Sequence, residues 1–227
     1  MLEKFKEEFI EFMVRSKVLT FGDFVTKSGR KTPFFINTGN YNTGSQLCEL
    51  GRFYAEALSV NLGNRFNVLF GPAYKGIPLA VTASMALSSR FDHDVGFCFN
   101  RKEAKKHGEG GVMVGRKLKA GDKVVIIEDV TTAGTSVRES VPFLKHTLGV
   151  EVVGLVVSVD RMERGTSTKS ALAQLREEFD FAAFAIVNLD EIISYLHNKE
   201  IDGKVILNND IMNKINEYRK MYGAIDN

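Results

Sequence analysis

The chain has 227 residues, 44% of them hydrophobic and 26% charged, with a formal net charge of +2. These are the proportions of a folded domain and exclude a disordered chain, while so even a charge balance leaves no nucleic-acid footprint. No apolar run approaches the roughly 20 residues needed to cross a bilayer, so the expectation is a cytoplasmic protein that binds neither membrane nor nucleic acid.

The opening MLEKFKEEFIEFMVRSK spaces apolar residues between charges at helical intervals and lacks the apolar core of a signal peptide, which predicts a helix over 3–17. A polar, β-like stretch at 27–37 follows, then a helix over 45–62, a strand at 68–70 and a helix after Pro78. Strand 95–100, a charged loop, strand 124–127, a helix from Ser136, strand 152–159, helix 168–178 and strand 181–187 complete the alternation. That order predicts an α/β fold, a mostly parallel twisted sheet flanked by helices on both faces. Segments of about 1–40 and 189–227 leave the pattern and read as additions to one domain spanning 1–227, with a small hood from the N-terminal segment. Pro142 falls inside the helix that starts at Ser136 and predicts a kink or an early end there. Cys48 and Cys98, without a Cys-x-x-C or Cys/His cluster, are expected as buried free thiols.

In such sheets, ligands bind beyond the carboxyl ends of the strands. Four successive strand exits carry polar groups: Tyr74-Lys75, Arg101-Lys102, Glu128-Asp129 and Asp160-Arg161. The third is the most informative. In VVIIEDVTTAGTS, four apolar residues of a buried strand end in two carboxylates, and Thr131, Thr132, Gly134, Thr135 and Ser136 then open a helix. Backbone N–H groups at a helix start, the positive end of its dipole and several hydroxyls make a cradle for a phosphate dianion. The adjacent acids suit ribose hydroxyls or a magnesium ion. Gly71 and Gly76 have Walker-like spacing but run on into Ile77-Pro78, where such a loop requires Lys-Ser/Thr. In the loop RKEAKKHGE, four fixed positive charges and a histidine stand against two acids before Gly110-Gly111, as a site that handles a polyanionic leaving group would need.

The blocks FVTKSGRKTPFFIN, GPAYKGIP, FNRKEAKKHGEGG, IEDVTTAGTS and VSVDRMERG, over about 20–166, together resemble the orotate phosphoribosyltransferases, type I phosphoribosyltransferases that bind phosphoribosyl pyrophosphate (PRPP). The acid-and-threonine motif marks the superfamily; the K-S-G-R-x-T-P and K-x-x-K-x-H-G-E-G-G blocks are more specific. The resemblance implies the type I phosphoribosyltransferase fold and, as the reaction, orotate plus PRPP giving orotidine 5′-monophosphate and pyrophosphate in pyrimidine synthesis. It implies PRPP contacts at Lys27, Tyr74, Lys75, Arg101, Lys102, Lys105 and His107, and along the motif at Glu128, Asp129, Val130, Thr131, Thr132, Ala133, Gly134, Thr135 and Ser136. Lys102, Lys105, His107 and Asp129 are the implied catalytic groups. Orotate contacts fall on Phe34, Phe35, Thr132 and Arg161. Taken alone, the two phenylalanines would read as core packing and Arg161 as an ion pair with Asp160 or Glu163; the motif context favours the ligand.

The implied cofactor is Mg²⁺, held mainly by PRPP and water near Glu128 and Asp129, with no direct protein ligand assigned. The implied assembly is a homodimer whose basic loop is shared, Lys102 serving the partner subunit's site. Glu128 stands where many of these enzymes have Asp, and its added methylene changes how that acid reaches the ribose. Two other functions compete: transfer to another base such as a purine, and a PRPP-sensing regulator that binds nucleic acid. The second is disfavoured because no appended DNA-binding module is evident and the loop cations expected of a catalyst are retained.

Overall fold

A computed structural model describes residues 2–26, 29–102, 112–131 and 133–225. Helix α1 (Lys4–Arg15) buries Phe9, Ile10 and Met13 on one face and leads into an antiparallel hairpin of β1 (Leu19–Val25) and β2 (Lys31–Ile36). The β-like stretch thus has a partner strand on its N-terminal side. Helix α2 (Gly44–Leu62) starts at a capping box, in which the Thr43 hydroxyl accepts from the Gln46 amide and the Gln46 side chain accepts from the Thr43 amide.

The core alternates as its sequence pattern requires: β3 (Val68–Phe70), α3 (Gly76–Phe91), β4 (Gly96–Asn100), β5 (Met113–Gly115), β6 (Lys123–Ile127), α4 (Thr135–Pro142), β7 (Glu151–Asp160), α5 (Ala171–Phe179) and β8 (Ala182–Asn188). The six strands lie in the order β5-β4-β3-β6-β7-β8, all parallel except the edge strand β5. Side chains alternate across β6, so Val125 and Ile127 enter a core with Tyr54, Leu58 and Leu87, while Val124 and Ile126 enter another with Val137, Leu144 and Leu175. Both faces of the sheet are covered, which is why these strands read as continuous apolar runs.

The α-type ladder of α4 ends at Pro142, which has no N–H to donate, and residues Phe143–Thr147 continue as a π-type turn. After β8 come α6 (Leu189–Leu196), the short hairpin of β9 (Glu200–Ile201) and β10 (Lys204–Val205), and α7 (Asn209–Tyr222). The α7 helix returns to the first hairpin, with Tyr218 edge-on to Phe34 at 5.9 Å between ring centroids and Lys214 paired with Asp23 at 2.9 Å.

One expectation needs correction. Cys98 is buried, and burial pushes its thiol up to about 12, but Cys48 is exposed, because it falls on the solvent side of α2 rather than on the side carrying Leu50 and Tyr54.

Candidate active site

Strand β3 leads to β4 on one side and has β6 on the other, so the strand order reverses between β3 and β6, where a crevice opens at the carboxyl ends of open parallel sheets. A cleft of about 590 Å³ lies there, walled by Tyr74 and Lys75 after β3, Lys102 after β4, Glu128 and Asp129 after β6, and Thr135 and Ser136 at the start of α4. Three of the four polar strand exits therefore meet in one place.

Asp129 is the centre of the contacts. Its Oδ2 accepts from Lys75 Nζ at 2.7 Å and from the Thr38 hydroxyl at 2.7 Å, and Lys75 Nζ also donates to the Thr38 hydroxyl at 3.1 Å. Across the cleft the Lys102 ammonium lies 5.4 Å from the centre of the Tyr74 ring. The two acids are held from behind through their backbone. The Tyr54 hydroxyl donates to the Glu128 carbonyl at 2.7 Å, and the Ser158 amide and hydroxyl donate to the Asp129 carbonyl at 2.8 and 2.5 Å. Burial raises the Tyr54 phenol well above its ordinary value, so it stays a donor.

Glu128 is half-buried, and the Ser136 hydroxyl donates to its Oε1 at 2.6 Å. Burial raises this carboxyl above its usual range, against the opposing pull of the Ser136 bond. The folded protein then binds the proton more tightly than the unfolded chain does, so this group's contribution to stability falls as pH rises from the ordinary carboxylate value through the raised one. Glu128→Gln is accordingly expected to melt no lower than the wild type at neutral pH, with any advantage shrinking as pH falls through the raised value to the ordinary carboxylate value and gone below it. Thermal melts across pH check this; a variant weaker at neutral pH yet equal in acid would contradict it.

The loop between β6 and α4 turns at Gly134, whose φ of 69° is left-handed and whose amide donates to the Thr131 hydroxyl at 3.1 Å. Arg138 braces it, donating to the Ala133 carbonyl and pairing with Glu178 at 2.7 Å. The glycines of the Walker-like spacing make a tight β3–α3 turn, in which a Cβ on Gly71 would lie 2.0 Å from the Gly76 carbonyl oxygen. The Ala73–Tyr74 peptide within that turn is cis.

The fourth exit opens on a second recess of about 320 Å³, on the other side of the loop, walled by Arg30, Thr131, Ala133, Arg161 and Glu163 among others. Arg161 pairs with Glu163 at 2.6 Å and its guanidinium lies 4.9 Å from the centre of the Phe34 ring. Phe34 is fully buried, so its ring supports Arg161 and presents no face to a ligand, while Phe35 is partly exposed and stacks on Phe24 at 5.6 Å. Phe34 is thus part of the core, and Arg161, one of the residues that wall the recess, is ion-paired with Glu163. Arg101 and Val130 are half-buried and are not among the described residues that wall either space; the Arg101 Nε is buried without a partner among the described residues. Lys27, Lys105, His107 and Thr132 lie outside the described residues.

Reasoning from sequence missed Thr38, Tyr54 and Ser158. Only Ser158 left a signal, a hydroxyl inside the apolar run of β7, where a buried polar group needs a partner.

The phosphoribosyl transferase domain model matches residues 37–186. Over 223 residues the chain is 60% identical to the orotate phosphoribosyltransferase of Clostridium beijerinckii, covering 98% of this chain and 100% of that one, and 57% identical to that of Clostridium acetobutylicum with the same coverage. The crystal structure of the orotate phosphoribosyltransferase of Francisella tularensis superposes with a TM-score of 0.82 at 37% identity, covering 96% of this chain and 100% of that one. By the domain match over most of its length and by these identities across nearly the whole of both chains, the chain belongs to the orotate phosphoribosyltransferase family.

Proposed function

We propose that the protein transfers the 5-phosphoribosyl group of PRPP to orotate, giving orotidine 5′-monophosphate and pyrophosphate for pyrimidine synthesis. The observation that carries this reading is the meeting of Asp129 and Lys75, 2.7 Å apart, in a cleft bounded by the loop that starts α4. On this reading residues 131–136 cradle the 5′-phosphate at the positive end of the α4 dipole, and Asp129 with Glu128 accepts hydrogen bonds from the ribose hydroxyls.

The bond from the anomeric carbon to the pyrophosphate oxygen breaks, its electron pair leaving with pyrophosphate, as a ring nitrogen of orotate bonds to that carbon and gives up its proton to solvent or to the departing pyrophosphate. Positive charge develops on the ribose and negative charge on the leaving group. Lys75 and Lys102 neutralise the leaving group, Lys75 exchanging its Asp129 partner for a pyrophosphate oxygen. Lys27, Lys105 and His107 join the same side by resemblance. Arg161 takes the orotate carboxylate, a charge-assisted contact that a purine lacks. Segments 1–40 and 189–227 act as additions around the base side of a single transferase domain.

Two adjacent acids at an open cleft fit a magnesium ion that arrives on PRPP with its own waters; among the described residues no cluster of three or more His, Cys, Asp or Glu side chains is grouped to cage one. When bound, the ion supplies further positive charge to the pyrophosphate, and Glu128 and Asp129 are the residues that would hold its waters. No helix of the described residues is long and apolar enough to cross a membrane, and PRPP, a polyanion, does not cross a bilayer unaided, so the reading is of a cytoplasmic enzyme. Loss of orotate absorbance with PRPP and Mg²⁺ tests the assignment. Consumption that needs both supports it, and equal or faster turnover of purine bases would replace orotate as the substrate.

The same reading makes the enzyme a homodimer in which Lys102 serves the partner subunit's site. Lys102→Ala and Asp129→Asn homodimers are each expected to be nearly inactive. After subunit exchange, each heterodimer holds one site with both groups intact, and activity is expected to recover. Verified exchange without recovery would mean that Lys102 acts within its own chain.

A further inference from the structure

The recess that holds Arg161 contains a carboxylate with no part in the transfer as described. Glu163 Oε1 accepts from Arg161 Nε at 3.0 Å, from Arg161 Nη2 at 2.6 Å and from the Tyr218 hydroxyl at 2.9 Å, and its Oε2 accepts from Arg30 Nη1 at 3.1 Å. The donors come from three segments: Arg30 ahead of β2, Arg161 after β7, and Tyr218 in α7. Both guanidiniums also rest on rings, Arg161 on Phe34 at 4.9 Å and Arg30 on Tyr222 at 4.4 Å. The side chains of Arg161 and Glu163 are only 12% and 13% exposed.

Tying down a loop does not require this carboxylate. The Asp160 carboxylate already accepts from the Met162 amide at 2.8 Å, the Arg164 amide donates to the Tyr222 carbonyl at 2.9 Å, and the Ala224 amide donates to the Met162 carbonyl at 2.8 Å. What Glu163 adds is orientation and charge. It occupies the Nε/Nη2 edge of Arg161, whose Nη1 has no hydrogen-bond partner among the described residues. It also offsets part of the positive charge of a recess lined by Arg30, Arg161 and Arg164 with Asp160 as the other acid. Without Glu163, three arginines would face the single carboxylate of Asp160, an excess of positive charge that suits a phosphate dianion, and every other substrate and product of the proposed reaction carries phosphate.

We propose that Glu163 is a positioning and specificity residue of the base site: it fixes Arg161 with one edge free for the carboxylate of a planar base, and it lowers the local charge so that phosphate dianions are rejected. The inference rests on the reading of Arg161 as the contact for the orotate carboxylate. Through Tyr218 it gives α7 a part in base recognition.

The test is steady-state kinetics of the full chain, varying orotate and PRPP separately, with inorganic phosphate as inhibitor and melting temperatures recorded alongside. Glu163→Gln is expected to raise KM for orotate about tenfold with KM for PRPP changed by less than about twofold, and to make phosphate compete with orotate at about tenfold lower concentration. Tyr218→Phe keeps the charge and the ring, so it is expected to raise KM for orotate about threefold without strengthening phosphate inhibition. A folded Glu163→Gln variant with unchanged KM for orotate, or with equal increases for both substrates, overturns the proposal. Should that variant fail to fold, Tyr218→Phe decides the positioning role through KM for orotate, an unchanged KM overturning it. Arg161→Ala separates the two layers: if it leaves KM for orotate unchanged the base-site reading itself fails, whereas a selective loss there with none at Glu163 or Tyr218 removes only the present proposal.

Discussion

Replacing Asp129 with Asn is expected to lower kcat by about two to three orders of magnitude, the usual size of the effect when a group that stabilises developing charge is removed. The folded state should barely respond. The Asp129 side chain is only 13% exposed, but its partner Lys75 is 67% exposed, and a pair screened by solvent on the lysine side contributes about 1 kcal/mol or less. The Asn oxygen still accepts from Thr38, and the Tyr54 and Ser158 bonds go to main-chain carbonyls that the substitution leaves in place. A melting temperature within about 4 °C of the wild type is therefore expected for a chain of this size. Kinetics and thermal melts on the same preparation decide the matter. Normal turnover would remove Asp129 from the proposed machinery, and a collapse in stability large enough to explain the lost activity would make its role structural.

Gly134→Val is expected to raise the dissociation constant for PRPP about a hundredfold. Two independent strains act at this position. At a φ of 69° a β-branched residue is held in a conformation that costs about 1–3 kcal/mol, and the new Cβ would lie 2.9 Å from Leu175 Cδ1 and 3.2 Å from Arg138 Nη1. Leu175 is fully buried and Arg138 braces the Ala133 carbonyl, so these side-chain ends have little room to yield, and the left-handed φ strains the loop itself. On the proposed reading the phosphate is held by this loop at the start of α4, and a displaced loop no longer presents its donors together. Calorimetric titration with PRPP measures the loss. Unchanged affinity would mean that the phosphate is held elsewhere.

Much of this site is legible in the sequence because its parts lie at the ends of strands. Tyr74-Lys75, Lys102 and Glu128-Asp129 each follow an apolar run, and parallel strands of one sheet bring their carboxyl ends to one edge whatever the details of packing. Pro142 is legible for a covalent reason, the missing N–H. Of the Glu163 cluster only the local pair with Arg161 is legible. Arg30 lies 133 residues from Glu163 and 188 from Tyr218, so no local pattern links them. Helix α7 buries only Ile215 and Tyr218, too few positions to mark an apolar stripe. The strand β1 escaped notice because Gly22 and Asp23 interrupt its alternation, at the irregularity in register between Phe21 and Phe24. Glu128 was read as an Asp with a longer reach; the structure uses that length to meet Ser136 across the loop.

The acids of the cleft and its cations differ in when their order is imposed. Glu128 and Asp129 leave a strand paired on both sides, and their carbonyls are fixed by Tyr54 and Ser158, so their conformational entropy is given up once, as the chain folds. The side chains of Lys75 and Lys102 are exposed, and ordering each on a ligand costs about 0.5–1.5 kcal/mol at the moment of binding. On the proposed reading the sugar meets a rigid template and the polyphosphate meets compliant charges that settle around it. Release of pyrophosphate then returns freedom to the lysines, an entropic push toward product departure that the acid side of the cleft does not provide.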